Sequence, residues 1–291
     1  MTLSSDFRGA SKESLESLLA ELDSVLAGSL LGRLVDTVRG TARSGADPDR
    51  VSADLFGVSA LLGREPGLRR TLTDASLPAK AKGELVRQVF GGRLDAASVD
   101  LVEVAAAGRW TRVHDLSAAL EWVAVVAIVR AAGDAGDADR LEDDLFRILQ
   151  LVGEHHDLRD ALSDPGRSPE DRRVLLQGLL EGKVSPAALA LAGQAVGGRH
   201  RTVVAAVEEY QRIAADQRQR TLALVRVARP LGDAERDRLA EALSSQYGRP
   251  VHLNVVVDPS LVGGLVVEIG DDVIDGTVAG RIDDARRRLA G

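Results

Sequence analysis

Gly178-Leu-Leu-Glu-Gly-Lys-Val184 is the stretch nearest to a phosphate-binding loop. Such a loop needs Gly-x-x-x-x-Gly-Lys-Ser/Thr between a strand and a helix, because its backbone N–H groups cradle phosphates and its hydroxyl binds magnesium. Here one spacer is missing, Val184 stands where the hydroxyl belongs, and no strand-like run precedes it. His155 and His156 carry metal-ligating imidazoles, but adjacent side chains point to different sides and no further ligand stands at a useful spacing. A solvated pair at a helix end accounts for them. Asp271, Asp272 and Asp275 lack the alternating ligands and terminal Glu of a calcium loop, and suit turns and caps better. Gly57-Val-Ser-Ala-Leu61 lacks the second glycine of a nucleophile elbow. The chain has no cysteine, which excludes thiolate catalysis, disulfides and Cys-based metal sites. No catalytic, cofactor-binding or metal site is expected.

The elements that would position any site must then carry the function. The chain has 291 residues, enough for two or three domains. Hydrophobic residues make up 45% and aromatics only 3%, so the cores must be built from Leu, Val and Ala, which suits closely packed helices. A net charge of −7 argues against a nucleic-acid binder. The most apolar run, Trp122 to Val129, falls short of the roughly 18 residues a membrane span needs. The N-terminus lacks the charged-then-apolar layout of a signal peptide. A cytosolic protein, or one held at a membrane only through partners, is expected.

Residues 11–44 read as helix, with Leu15, Leu18, Leu22, Val25 and Leu26 in one stripe, Ser11 as N-cap and Gly28-Ser29 as a candidate break. This extension (1–46) is a core helix or a coiled-coil arm. An internal repeat at an offset of ninety residues follows. Asp49-Arg50-Val51-x-x-Asp54-Leu55-Phe56 aligns with Asp139-Arg140-Leu141-x-x-Asp144-Leu145-Phe146, and Gly108-Arg109 aligns with Gly198-Arg199. The register predicts two helical bundles, 47–130 and 137–220, joined by a Gly/Ala/Asp linker. Pro48, Pro78 and Ser168-Pro169 mark helix starts. Val86, Val89 and Phe90 correspond to Leu176, Leu179 and Leu180 on a buried face, and the Gly-Arg pairs end a helix in each copy. Trp110 and Trp122 are either core or partner-facing.

From 221 the helical pattern stops. Residues 221–291 read as strand, helix, strand, hairpin and helix, so the predicted class is mainly α with a small α+β C-terminal domain. The hairpin runs through Val266–Ile269 and Val273–Ile274, and a final helix opens at Thr277. Its sequence, Gly263-Gly-Leu-Val-Val-Glu-Ile-Gly-Asp-Asp-Val-Ile-Asp-Gly-Thr-Val-Ala-Gly-Arg-Ile282, closely resembles the C-terminal signature of the delta subunit of F-type ATP synthases, the oligomycin-sensitivity-conferring protein family. Gly263, Gly264, Gly270, Asp271, Val273, Ile274, Asp275, Gly276 and Arg281 carry the match, and their roles are structural. Residues 137–291 cover the whole family pattern, while the extra bundle and the N-terminal extension resemble the extended actinobacterial type.

The resemblance implies a non-catalytic stator subunit on the cytoplasmic face of the bacterial plasma membrane, a peripheral part of the complex. It implies that a bundle groove binds N-terminal helices of the alpha subunits, and that the C-terminal region binds the b subunit of the peripheral stalk. Leu141, Leu145, Leu189, Ala192 and Val196 are candidate groove residues, with the bundle's own core as the competing role for each. The competing function is a helical adaptor unrelated to the synthase.

Overall fold

The computed structural model describes residues 7–39, 46–164, 166–218, 221–247, 251–269, 272–275 and 277, without the side chains of 27–39, 221, 222, 272 and 275. Among these residues the protein is mainly helical, with a small four-stranded mixed sheet. The chain divides into two compact units, 2–213 and 214–291.

In the first unit, α1 (Ala10–Arg39) runs through Gly28 and Ser29 without a break. Ser11 lies inside it and is not its N-cap. Its hydroxyl donates to Asp115 Oδ2 at 2.7 Å and accepts from Thr111 N at 2.7 Å. A cap signature is local and cannot reveal partners a hundred residues away.

The ninety-residue repeat reappears in the helices. α2 (Pro48–Arg64), α3 (Pro66–Thr73), α4 (Ala79–Phe90), α5 (Ala96–Ala107) and α6 (Asp115–Asp134) precede α7 (Ala138–Glu154), α8 (His156–Ser163), α9 (Pro169–Leu180), α10 (Pro186–Gly197) and α11 (Val203–Gln217) in the same order. The starts follow local chemistry: Pro at the first helical position costs no bonded N–H, and Asp47, Asp95, Ser168 and Ser185 accept backbone N–H groups there. Gly92 and Gly182 take φ of +74° and +72° after matching helices, which only glycine adopts without strain. Leu179 departs from the expected buried face: it is 37% exposed, whereas Leu176 and Leu180 are buried.

The repeat also preserves a tertiary hydrogen bond. Asp54 Oδ2 accepts from Asp95 N at 2.9 Å, and Asp144 Oδ2 accepts from Ser185 N at 2.7 Å. Each ties a first bundle helix to the residue that caps a later one. In the second copy the carboxylate is buried and also accepts from Arg147 Nη1 at 2.9 Å. Asp144→Ala would leave a buried N–H without its acceptor and is expected to cost about 3 kcal/mol in chemical denaturation. Asp54→Ala, at a half-buried site, is expected to cost about 1 kcal/mol. Equal costs would contradict this difference.

α6 is the one described helix long and apolar enough to cross a membrane, with a mean hydropathy of 1.6 over its apolar window. The sequence reading named only its uninterrupted run, Trp122 to Val129, as too short to span, because Glu121 and Arg130 bound that run. Its apolar character is accounted for by burial: 78% of that window is buried. α6 packs against α1, α2 and α5 on the first-copy side and against α7 and α10 on the second-copy side. A helix buried all round must be apolar all round.

The second unit holds the sheet. β1 (Thr221–Val227) pairs in parallel with β2 (Val251–Val257), and α12 (Asp233–Tyr247) supplies the crossover that parallel neighbours require. β3 (Leu265–Ile269) pairs antiparallel with β1, and β4 (Asp272–Asp275) with β3, giving the order β2-β1-β3-β4. Ala223, Val225 and Val227 alternate into a core with Leu243, Leu253, Val267 and Ile269. Leu239 packs, partly buried, on the edge of that core. Gly264 has φ of +84° at the entry to β3. Ile274 packs on the core, whereas Val273 is 65% exposed. Gly270, Asp271, Gly276, Arg281 and the helix expected after Thr277 lie outside the described residues.

Candidate partner-binding clefts

The chemical motifs resolve into structural roles. His156 pairs with Asp160 at 2.9 Å on an exposed surface, and His155 is the residue between α7 and α8. Gly178 to Val184 is the end of α9 and the turn after it. The Ser59 hydroxyl donates to Ser117 O at 2.8 Å. No cluster of three or more metal-binding side chains occurs among the described residues.

A cleft of about 710 Å³ lies between α2 and the ends of α9 and α10, with α6 at its floor. Ala53, Gly57, Ala60 and Gly63 give its α2 wall one small residue every three or four positions. A second space of about 250 Å³ continues it, sharing Ala53, Phe56 and Gln194. Arg64, Arg173 and Arg199, together with the carboxylates of Glu121 and Glu170, stand at one end of this channel and Asp49 at the other. The channel therefore has a small-residue wall along α2 and charged groups at both ends.

Glu121 of α6 organises the arginine-bearing end. Its carboxylate lies 3.6 Å from Arg199 Nε and 3.5 Å from His200 Nε2, and accepts from Tyr210 Oη at 3.1 Å. It also accepts from the Arg199 backbone. Burial raises the Glu121 pKa above the usual carboxylate value, partly offset by Arg199 and the Tyr210 bond. Burial, then the adjacent carboxylate, pushes the Tyr210 phenol well above its ordinary value. His200 meets the Tyr210 ring edge-on at 6.1 Å.

A third cleft, about 370 Å³, repeats this construction between α1 and α5. Ser14 of α1 accepts from Arg109 N at 2.8 Å and packs on Gly108, where a Cβ would come within 2.8 Å of its Oγ. Glu121 of α6 accepts from Arg199 and packs on Gly198 in the same way, with a Cβ there 3.3 Å from its Oε1. So α6 does for α10 what α1 does for α5. It closes one bundle and leads the next.

Among the residues expected to form a groove, Leu141, Leu145 and Ala192 are fully buried in the unbound chain, Val196 is 8% exposed, and Leu189 is half-buried. They hold α7 and α10 in place. Glu121 and Tyr210 were not singled out from sequence. The available signal was one carboxylate at the edge of the apolar run that starts at Trp122, beside a repeated Gly-Arg pair.

Helices paired around clefts, followed by a small mixed sheet, define the class: a helical scaffold with an α+β C-terminal unit. Comparison with known proteins supplies the family. Residues 125–289, more than half of the chain, match the family described as ATP synthase delta (OSCP) subunit, and the match begins inside α6. The ATP synthase subunit delta of a Nocardioides species is 51% identical over 287 residues, covering 99% of this chain and 98% of that one. That of Frankia alni is 40% identical over 282 residues, covering 97% and 99%, and that of Streptomyces coelicolor is 38% identical over 287 residues, covering 98% and 99%. The chain belongs to the ATP synthase delta (OSCP) subunit family, the non-catalytic structural subunits of the peripheral stalk that serve ATP synthesis.

Proposed function

We propose that this chain is the stator connector of a rotary F-type synthase on the cytoplasmic face of the bacterial plasma membrane. It tethers the catalytic alpha/beta head to the b-subunit stalk, is held at the membrane only through that complex, and resists torque while the rotor turns. The observation that carries the reading is the channel over α6 and α10, whose small-residue walls suit an amphipathic helix lying lengthwise. The N-terminal helix of an alpha subunit is its occupant, lying along the small-residue wall of α2. Leu141, Leu145, Ala192 and Val196 keep α7 and α10 in position behind the channel, and Leu189 offers the half-exposed edge. The C-terminal unit engages the b subunit. The repeated bundle that precedes α6 adds a second cleft of the same construction.

Ala60 is exposed on the channel wall, so Ala60→Trp fills the channel without disturbing the core. The variant is expected to bind a synthetic alpha N-terminal peptide at least about tenfold more weakly in calorimetric titration, with an unchanged melting temperature. Unchanged affinity would place the peptide elsewhere.

A further inference from the structure

The Gly-Arg turn is built twice in this chain, once on neutral groups and once on titratable ones. In the first copy it rests on Ser14, whose hydroxyl donates to Arg109 O and accepts from Arg109 N, both at 2.8 Å. Trp110 follows, its indole donating to Ala105 O at 2.9 Å, and the buried Leu120 stands where α11 has Tyr210. In the second copy Glu121 takes the place of Ser14, His200 that of Trp110 and Tyr210 that of Leu120. The first copy shows that a hydroxyl is enough to hold the turn. The buried carboxylate therefore serves something more than holding it.

The geometry separates two kinds of contact. The Glu121 side chain is 4% exposed on the cleft floor, and Arg199, 36% exposed, stands at the cleft boundary. At 3.6 Å the Arg199 Nε is too distant for a hydrogen bond, so charge alone holds the guanidinium there. Tyr210 Oη and the Arg199 backbone, by contrast, donate hydrogen bonds to the carboxylate. A protonated acid keeps acceptor capacity for such donors but loses its attraction for a guanidinium.

Other charges around Glu121 set the background. His200 Nε2 lies 3.5 Å from it, and Glu209 of α11, paired with Arg212 at 2.8 Å, opposes its ionisation. Across the cleft stand Arg64 of α2 and the Glu170–Arg173 pair of α9, while α10 lines it with the neutral Gln194. On the other helices packed against α6, Asp23 of α1 pairs with Arg130, Glu103 of α5 with Arg87, and Asp144 of α7 with Arg147, while Arg69 of α3 donates to Leu62 O.

We propose that Glu121 is a proton-operated latch on Arg199: proton uptake by the buried carboxylate frees the guanidinium into the cleft while the turn stays bonded. The end of the cleft then carries one more positive charge and gains affinity for an oxyanion, the ligand a guanidinium fork fits. Burial favours the protonated form in the folded chain, so the latch opens as pH falls toward the acid range and closes as it rises. The latch stands on this cluster alone and holds whether or not the stator reading does.

The test is NMR of the full chain carrying ¹⁵N-labelled arginine, following the side-chain Nε–H signals of Arg199 and Arg109 between pH 7 and pH 4. Sulfate is the anion probe, because it remains a dianion throughout. The Arg199 signal is expected to move in one step with a midpoint above 4.5, without a matching step at Arg109. Sulfate is expected to bind at Arg199 at least about threefold more tightly at the acid end. In Glu121→Gln the step is expected to vanish, and sulfate to bind at pH 7 as it does to the unaltered chain at pH 4. Absence of a step at Arg199, a step that survives in Glu121→Gln, a matching step at Arg109, or equal sulfate affinity at both ends would each overturn the latch. If Glu121→Gln does not fold, the unaltered chain decides alone, with Arg109 as its internal control.

Discussion

Glu121→Ala is expected to lower the unfolding free energy of the helical unit by about 3 kcal/mol at pH 7. The substitution leaves Tyr210 Oη, on a side chain only 1% exposed, without its acceptor, removes the acceptor for the Arg199 backbone, and opens a cavity beneath Gly198. Glu121→Gln keeps the shape and an acceptor for Tyr210 while dropping the charge, and is expected to change stability by less than about 1 kcal/mol at pH 7. The pH dependence separates the two effects. Burial raises the Glu121 pKa in the folded state above its unfolded value near 4.5, so folding favours the protonated acid. The stability this group contributes is therefore full below that unfolded value and is lost as pH rises through the folded one. Between pH 4 and pH 7 the unaltered chain should lose more stability than Glu121→Gln, measured by urea denaturation at stepped pH. A difference that stays flat over that window would contradict the buried-acid assignment.

The second large effect concerns where the chain can be cut. A fragment starting at Arg112 keeps α6, whereas one starting at Asp137 begins just before α7 and loses it. α6 supplies Glu121 to Arg199 and Tyr210 and packs on α7 and α10, so the second bundle is incomplete without it. Amide exchange in α10 is expected to be protected in the fragment 112–291 and to lose that protection, by at least about a hundredfold, in 137–291. Equal protection in both fragments would show that α6 belongs to the first copy alone.

That shared helix is also where sequence reading reached its limit. The offset of ninety compares residues that play the same role in each copy, so it located α2 against α7 and α5 against α10. It could not pair α1 with α6, because Ser14 and Glu121 meet the same Gly-Arg turn with unlike side chains and α6 has a second role in the first bundle. The linker at 131–136 looked like a boundary because its Gly and Asp composition is that of a turn. The family match instead begins at Val125, upstream of it.

The C-terminal unit was more legible. Alternating Val and Leu runs are set by burial on a sheet face, and the second of the expected strands is β2, Val251–Val257. The starts at Pro48, Pro78 and Ser168-Pro169 were legible for the same reason: their signals act within one turn of helix. The channel was not legible. Its walls are small residues, Ala53, Gly57, Ala60 and Gly63, that leave no apolar stripe, and the space they create depends on how far α2 stands from α10. Leu141 and Leu145 drew attention as a conspicuous stripe because they are core.

The measurement that tests the stator role most directly is affinity purification of the tagged full chain from its native membranes, with the bound subunits identified and counted by mass. The account predicts recovery of alpha, beta and b subunits together in one complex. A folded, monomeric chain recovered without them would contradict it.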